Sequence, residues 1–304
     1  MKKGSILMTA ILLGSILLFI EGCAPTLKTL PIRPSIVESN FDLALKDVDL
    51  VYESVPGEVL KYDFYFSVGD INIKGLVGVR PSEIEQIKKE IEKLKGSLSF
   101  SGELEAATEK VSLGKDISSK SQMKIKSRES GYKMIGETKS KESFRQVVSN
   151  KGKILYSDSD ELWGMRSPQF FPDHSINIGD QWSALFEVDI KELGKVKFSI
   201  KSKLVGFKLI EGRPCAKIIT EMKSAPIQKE DMRGIFNIVS TGYHDLKIGQ
   251  LSYTNTIVSM NIDLPALLKG VDLPAELKGA SVTLEFVYTT KLNYQNSIFK
   301  RPIN

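Results

Sequence analysis

The sequence predicts a mainly β protein, a curved antiparallel sheet or partial barrel of ten to twelve strands. Most of the chain after Glu58 alternates apolar and polar residues with a period of two, as half-buried strands do. Turn residues separate these runs at short intervals, and one long segment alone has helical spacing. A sheet that is apolar on one face must cover that face, so it curls on itself or, alternatively, forms a β-sandwich.

The first alternating runs predict a hairpin. Leu60, Tyr62 and Phe64 fall on one side of the run 60–68. A Gly-Asp pair at 69–70 separates it from a second apolar run, 71–79. Two such runs joined by a glycine-containing pair are typical of a tight antiparallel turn.

Later runs predict the remaining strands, which short turns separate. These strands lie near 123–125, 132–134, 144–149, 154–156, 182–190, 196–204, 215–219, 235–243, 251–262 and 282–294. The turns that join them include 129–131, 150–153, 193–194 and 211–213. Their glycine, asparagine and serine residues are those that tight turns favour.

Two segments interrupt the strands. In 81–95, Ile84, Ile87, Ile91 and Leu94 recur at helical spacing, which predicts an amphipathic helix packed on the protein's own core. Residues 263–270 and 272–279 are nearly the same octapeptide, each with proline near its start and glycine at its end. This pattern predicts two single-turn helices in a crossover loop, with a movable lid as the alternative.

The N-terminus has the features of a secretion signal. Lys2 and Lys3 precede a run without charged residues, 4–20. The tetrapeptide Ile20-Glu21-Gly22-Cys23 that follows resembles the lipobox of bacterial lipoproteins. The resemblance implies that residues 1–22 are removed and that the Cys23 thiol receives a diacylglycerol. A transmembrane anchor and an ordinary cleaved signal are the alternatives.

Lipidation would place the mature protein on a membrane of the cell envelope. Because Ala24 is not aspartate, an organism with two membranes would sort it to the outer membrane, facing the periplasm. Residues 23–56 contain prolines at 25, 31 and 34 and predict an extended tether. Residues 57–304 then form the β-rich globular domain, with a division into two sub-lobes left open near 160–180.

Charge and cysteine content exclude several classes of protein. The net charge is +5, and removing residues 1–22 leaves +4, because Lys2, Lys3 and Glu21 are lost. The two signs are interspersed and the expected compartment lies outside the cytoplasm, so we expect no nucleic-acid partner. A lysine-rich surface could lie weakly on anionic lipid headgroups, but no run of four Lys or Arg supports this. With Cys23 acylated, Cys215 has no disulfide partner and is expected to be a small buried residue.

No pattern predicts an active site or a metal site. The two histidines, His174 and His244, lack metal-ligand spacing and are expected at the surface or in turns. Three carboxylates in 158–161 do not follow the calcium-loop pattern and indicate a solvated acidic loop. We therefore predict no catalytic residue, no cofactor, no metal and no enzymatic activity; the ligand-binding residues stay unknown.

One stretch is similar to a known kind of protein. Residues 171–182 contain proline, an apolar pair and Gly179-Asp180-Gln181-Trp182, and resemble an element of uncharacterised β-rich bacterial envelope lipoproteins. The resemblance implies no catalytic residues; Trp182 is expected to open a strand and to be buried.

By architecture the chain also looks like the lipoprotein carriers of the LolA/LolB kind. The expected function is therefore binding of a lipid or acyl ligand in a curved sheet. The alternative is a structural scaffold that contacts other envelope proteins and has no ligand cavity.

Overall fold

A single antiparallel sheet of thirteen strands dominates the protein. The computed structural model describes residues 33–40, 45–74, 82, 85, 89, 99–112, 115–129, 142–157, 170–190, 194–229, 232–263 and 281–300. The strands are β1 (Glu38–Asn40), β2 (Val59–Lys74), β3 (Ser99–Val111), β4 (Ile117–Glu129), β5 (Glu142–Val148), β6 (Ile154–Ser157), β7 (Gln181–Ile190), β8 (Gly194–Ile210), β9 (Arg213–Ser224), β10 (Ile227–Lys229), β11 (Met232–Asp245), β12 (Gln250–Asp263) and β13 (Ser281–Leu292). The predicted mainly β class is confirmed.

The order of strands across the sheet is β1-β8-β9-β11-β12-β13-β2-β3-β4-β5-β6. β10 continues β9 along β11, and β7 pairs with the first half of β8, on the side where β1 pairs with its last residues. Within the described residues, β6 and β7 each pair with one strand only. The sheet is therefore not closed into a barrel.

Strict alternation gives the sheet two different faces. Along β8, Val196, Phe198 and Ile200 are buried, whereas the lysines at 197 and 201 are exposed. We call the side that carries Phe198 the inner face and the side that carries Lys201 the outer face. A one-residue slip in register would exchange the two sets, so burial of the inner face fixes the pairing.

Tight turns join the strands at one end of the sheet, which we call the base. The link between β8 and β9 has two residues, Glu211 and Gly212, with φ of 52° and 78°. Positive φ at both positions matches the right-handed twist of hairpin strands. The links 112–116, 149–153 and 246–249 lie at the same end, because the strands alternate in direction.

Two segments cross the inner face at the base and show that the sheet curls. Leu50 and Phe171 pack in one core with Leu204 of β8. The same segments reach the β5–β6 turn, because the Tyr52 amide donates to the Asn150 carbonyl at 2.6 Å and the Phe171 amide donates to the carbonyl of residue 151 at 2.8 Å. β8 and β5 lie near opposite ends of the strand order. A flat sheet could not share these contacts.

Residues 59–74 form one strand, so the predicted hairpin with a turn at 69–70 is wrong. β13 pairs with β2 both before and after this dipeptide, and the register shifts between Leu284 and Phe286. Gly69 lies against Glu285, where a Cβ atom would meet the carboxylate at 2.8 Å. The glycine therefore marks an irregularity within a strand, which is its other common use.

Three further strands, β1, β3 and the short β10, were not predicted. β3 carries Gly102, Ala106 and Thr108 at its inward positions, and such small or polar residues give weak alternation. β1 lies within the predicted tether and pairs with residues 208–210. In the same predicted tether, Leu50 is 1 % exposed, and 45–52 packs on the core around Phe171. Much of 33–56 therefore belongs to the folded body.

Several predicted features lie outside the described residues. These are the signal segment 1–22, Cys23, the predicted strand near 132–134, the acidic loop 158–161 and the repeat after Asp263, which itself ends β12. Of the predicted helix 81–95, Ser82, Glu85 and Lys89 are described and are helical. The described part of the chain contains no helix long and apolar enough to span a membrane. One sheet contains strands from both sides of 160–180.

Candidate ligand-binding face

The inner face is organised in rows that cross the strands. Cross-strand partners define two rows away from the base that are apolar except for Ser224, and we call their apolar residues the apolar band. The apolar band consists of Phe198, Ile200, Met222, Phe236, Ile238, Val258, Met260, Leu284 and Phe286. Two rows nearer the base carry hydroxyl groups, which we call the hydroxyl band. The hydroxyl band consists of Ser202, Thr220, Ser240, Thr254, Thr256 and Thr290.

Aromatic rings flank the apolar band. On one side, Phe198 stacks on Phe186 of β7 with 5.1 Å between ring centroids, and Phe236 lies 6.5 Å from Phe198. On the other side, Phe286 stacks on Phe66 of β2 at 5.7 Å. Stacked and tilted ring pairs of this kind add to the stability that burial provides.

Two methionines lie between these aromatic groups. Met222 of β9 and Met260 of β12 are both buried. Methionine is unbranched and polarisable, so it adapts to apolar partners of irregular shape. The middle of the apolar band can therefore change its contour at lower cost than a surface of β-branched residues.

The hydroxyl band satisfies its buried groups in pairs. The hydroxyls of Ser202 and Thr220 are 3.0 Å apart, and those of Thr254 and Thr290 are 2.8 Å apart. Each such pair has two hydroxyl hydrogens but one bond between its members, so one hydrogen per pair is left for another acceptor. Paired hydroxyls avoid most of the cost of an unsatisfied buried polar group.

Below the hydroxyl band, side chains of the crossing segments and of β11 pack together and fill the inner face at the base. His244 ends the inner row of β11, and its ring lies 4.8 Å from that of Phe171 and 5.3 Å from that of Tyr52. Its Nε2 is 2.9 Å from the Val51 carbonyl, so Nε2 carries the hydrogen. His244 is 1 % exposed, and burial lowers its pKa to about 4.

The expectation that both histidines lie at the surface or in turns is therefore wrong for His244. The segment 45–57 crosses over the end of β11 and covers it, a contact that sequence cannot locate. His174, in contrast, is exposed, before β7.

A buried carboxylate fixes the rim of the base. Asp245 accepts hydrogen bonds from Arg213 Nε at 2.5 Å and from Tyr294 Oη at 2.8 Å, and also from the amides of Lys247 and Ile248. Four donors saturate this carboxylate, which suits a structural role. Nothing in this arrangement leaves Asp245 a lone pair directed at a substrate.

Cys215 lies beside this carboxylate and is buried, as expected. Burial raises the pKa of its thiol to about 12, and the negative charge of Asp245 adds to the rise. Since the thiolate is the reactive form, this cysteine is inert at neutral pH.

Trp182 lies at the second position of β7, facing inward as expected, but it is half-buried rather than buried. Its indole Nε1 donates to the Phe170 carbonyl. Among the described residues β7 pairs with β8 alone, so no described strand covers the other flank of the ring. Before it, Gly179 has a φ of 98°, a backbone conformation that favours glycine.

Neither metal-ligand geometry nor comparison with known proteins indicates a further site. Among the described residues, no three His, Cys, Asp or Glu side chains group closely enough to hold a metal ion. Comparison of the chain with protein-family models, with curated proteins and with solved structures found no match. The apolar band is therefore the candidate site on geometric grounds alone.

Sequence reasoning did not identify the residues of this band. The alternation of each strand already indicated which of its side chains share a face. The register between strands decides which of them meet, and neither the bulges nor the strand order can be derived from one sequence.

Proposed function

We propose that this chain is a membrane-anchored envelope lipoprotein that binds a hydrophobic ligand or lipid on its inner face and has no enzymatic activity. The observation that supports this most is the apolar band, in which aromatic rings flank Met222 and Met260. A curved, unclosed sheet can admit a ligand between its edges more readily than a closed barrel. Pockets for small apolar molecules usually combine such a lining with a few polar groups.

The arrangement of the two bands favours an amphiphile. An acyl chain would lie against the apolar band, and an ester or carboxyl oxygen would accept a hydrogen bond from the hydroxyl band. The pairs Ser202–Thr220 and Thr254–Thr290 each have a second hydroxyl hydrogen for this purpose. A purely aliphatic ligand would make no use of them.

The test is native mass spectrometry of the full chain after gentle extraction. We expect a copurified lipid on the unmodified protein and its loss in Met222→Trp, which fills the middle of the apolar band. The control is Val239→Trp, because Val239 is on the outer face of the neighbouring strand and is exposed. Equal lipid in both variants, at matched thermal stability, would place the ligand elsewhere.

The anchor is tested separately at Cys23. Cys23→Ser should leave an uncleaved precursor without an acyl label, because the thiol is the acceptor that precedes cleavage. A variant that is still cleaved and labelled would rule out the lipoprotein assignment. In an organism with two membranes, we expect the mature chain in the outer membrane, facing the periplasm.

A scaffold for other envelope proteins is the second candidate. It is favoured by the edge strand β6, where Leu155 and Tyr156 are both about half-exposed beside a strand edge that no described residue pairs. Exposed apolar groups on a free edge suit addition of a partner strand. If the purified protein carries no lipid and takes up no fatty-acid probe, the scaffold function is favoured over lipid binding.

A further inference from the structure

A row of lysines lies along the outer face of β8. Lys195, Lys197, Lys201 and Lys203 occupy alternate outward positions, and all four are exposed. On the next strand, Lys223 is exposed and faces Ser199, the residue in the middle of the row. We call these five lysines the lysine face.

Few described carboxylates neutralise the lysine face. Glu187 lies 3.5 Å from Lys195. Glu221 is the register partner of Lys201, yet no ion pair links the two, and within the described residues Lys197, Lys203 and Lys223 have none either. Asp189 of β7 is the register partner of Lys195, so three acidic positions, 187, 189 and 221, face the five lysines. A local positive excess remains, which the chain's small net charge conceals.

An apolar side chain projects from the middle of this surface. Leu185 of β7 is 85 % exposed, and its register partner is Ser199. It therefore lies beside the lysine face, on the same outer side. Leucine set among lysines is the combination found in segments that lie at a membrane interface, where the apolar group enters the headgroup boundary.

We propose that the lysine face docks the folded body on an anionic lipid surface, with Leu185 inserted between headgroups. Lysines near such a surface contribute roughly 1 kcal/mol each at physiological ionic strength. Alternate residues of a strand are separated by about 6.6 Å, so the row from 195 to 203 extends over about 26 Å and can meet several headgroups at once.

The path of the chain before β1 supports this partner; this step rests on the anchor proposed above. Arg33 donates to the Asn255 side chain at 2.7 Å, and Lys291 donates to the Ser35 carbonyl at 2.9 Å. Residues 33–35 therefore lie on the outer face. The chain from Cys23 to Arg33 spans at most about 35 Å, which keeps this face near the anchored membrane.

The lysine face is also close to this exit point. Asn255 belongs to β12, which is three strand positions from β8, or about 14 Å. Glu38 of β1 lies 3.2 Å from Lys217 and 3.8 Å from Lys208, so one carboxylate is shared by these two lysines. Among the described residues, Lys197, Lys201, Lys203 and Lys223 of the lysine face have no ion pair, and these four are left to meet the lipid.

The proposal is tested by photo-crosslinking on the full chain in lipid nanodiscs. The variant Leu185→p-benzoylphenylalanine should crosslink to lipid in discs that contain phosphatidylglycerol, and much less in discs of phosphatidylcholine alone. The control is Tyr156→p-benzoylphenylalanine, since Tyr156 is exposed on the opposite edge of the sheet. Equal lipid crosslinking at the two positions, or crosslinking of position 185 to a protein, would overturn the proposal.

Charge is tested in the same discs. The triple change Lys197→Gln, Lys201→Gln and Lys203→Gln should reduce the lipid crosslinking of position 185 at least about tenfold, since three lysine contributions are lost. A charge-matched control is the triple change to glutamine of residues 74, 110 and 120, which are exposed lysines on β2, β3 and β4. The same loss in both triples would show an effect of net charge alone.

A second measurement does not depend on the anchor. In a Cys23→Ser background, the two triple variants are mixed with phosphatidylglycerol vesicles and recovered by flotation. The N-terminal apolar run contributes equally to both, so weaker flotation of the 197/201/203 triple isolates the lysine face. That result would support the lysine face even if lipidation fails, whereas equal flotation of the two triples would contradict it.

Discussion

Burial of His244 predicts a specific dependence of stability on pH. Its imidazole is held between Tyr52 and Phe171, and its Nε2 hydrogen is bonded to the Val51 carbonyl. Burial lowers the pKa of His244 from 6.5 to about 4, although the negative charge of Asp245 opposes this shift. The folded chain therefore binds this proton more weakly than the unfolded chain.

The sign and size of the effect follow from linkage. Between about pH 6.5 and pH 4 the unfolded state binds more protons, so stability decreases as the pH falls through this window. The contribution of neutral His244 is complete above pH 6.5. A difference of about 2.5 pKa units corresponds to about 3 kcal/mol, which is lost by pH 4.

The assay is urea unfolding of the wild-type chain and of His244→Phe at a series of pH values. Carboxylates titrate in both proteins and cancel in the difference of their free energies of unfolding. We expect the advantage of wild type over variant to shrink by about 3 kcal/mol from pH 6.5 to pH 4. His174→Gln allows the His244 ring to be followed alone by NMR, because the chain has two histidines.

A constant difference between the two proteins across this pH range would refute the argument. It would mean that His244 has the same pKa in the folded and unfolded chains, so the segment that covers it must open readily. An NMR midpoint near 6.5 for the single remaining imidazole would lead to the same conclusion.

Three further predictions concern the base. Arg213→Ala should destabilise the fold by about 3 kcal/mol in chemical denaturation, because Asp245 loses its countercharge, and adding Asp245→Asn should recover part of that loss. Cys215 should resist maleimide at pH 8 in the native protein and react after unfolding; labelling of the native thiol would contradict its burial. Leu50→Ala should lower the free energy of unfolding by about 2–5 kcal/mol, because Leu50 is buried in the core. The control Leu185→Ala should change it by less than about 0.5 kcal/mol, because Leu185 is exposed. An equally small change in both variants would show that residues 45–52 do not pack on the core.

The sequence was most informative where strands alternate strictly. β7 and β8 follow from the alternation of Trp182 with Ser183 and of Phe198 with Lys197, since a period of two admits one kind of element. β3 was not predicted, because Gly102 and Ala106 occupy inward positions and weaken the alternation of apolar and polar residues. The turn predicted at Gly69 was wrong because glycine is common both in turns and at irregularities within strands. Only the pairing of β2 with β13 distinguishes the two.

The candidate sites show the same division. Alternation along β8 separates Phe198 from Lys197, so each strand determines by itself which side chains share a face. A count of consecutive basic residues missed the lysine face, because its charges lie at alternate positions and on two strands.

What the sequence determined by itself is local: a β-rich chain, its tight turns and a lipobox-like N-terminus. Register, strand order and curl were decided by tertiary structure, because they depend on contacts between residues far apart in the chain. Tyr52 meets His244 and Phe171 only when the sheet has curled and 45–57 has crossed its base. Periodicity has no information about such distances, and the free energy of burying the whole inner face selects them.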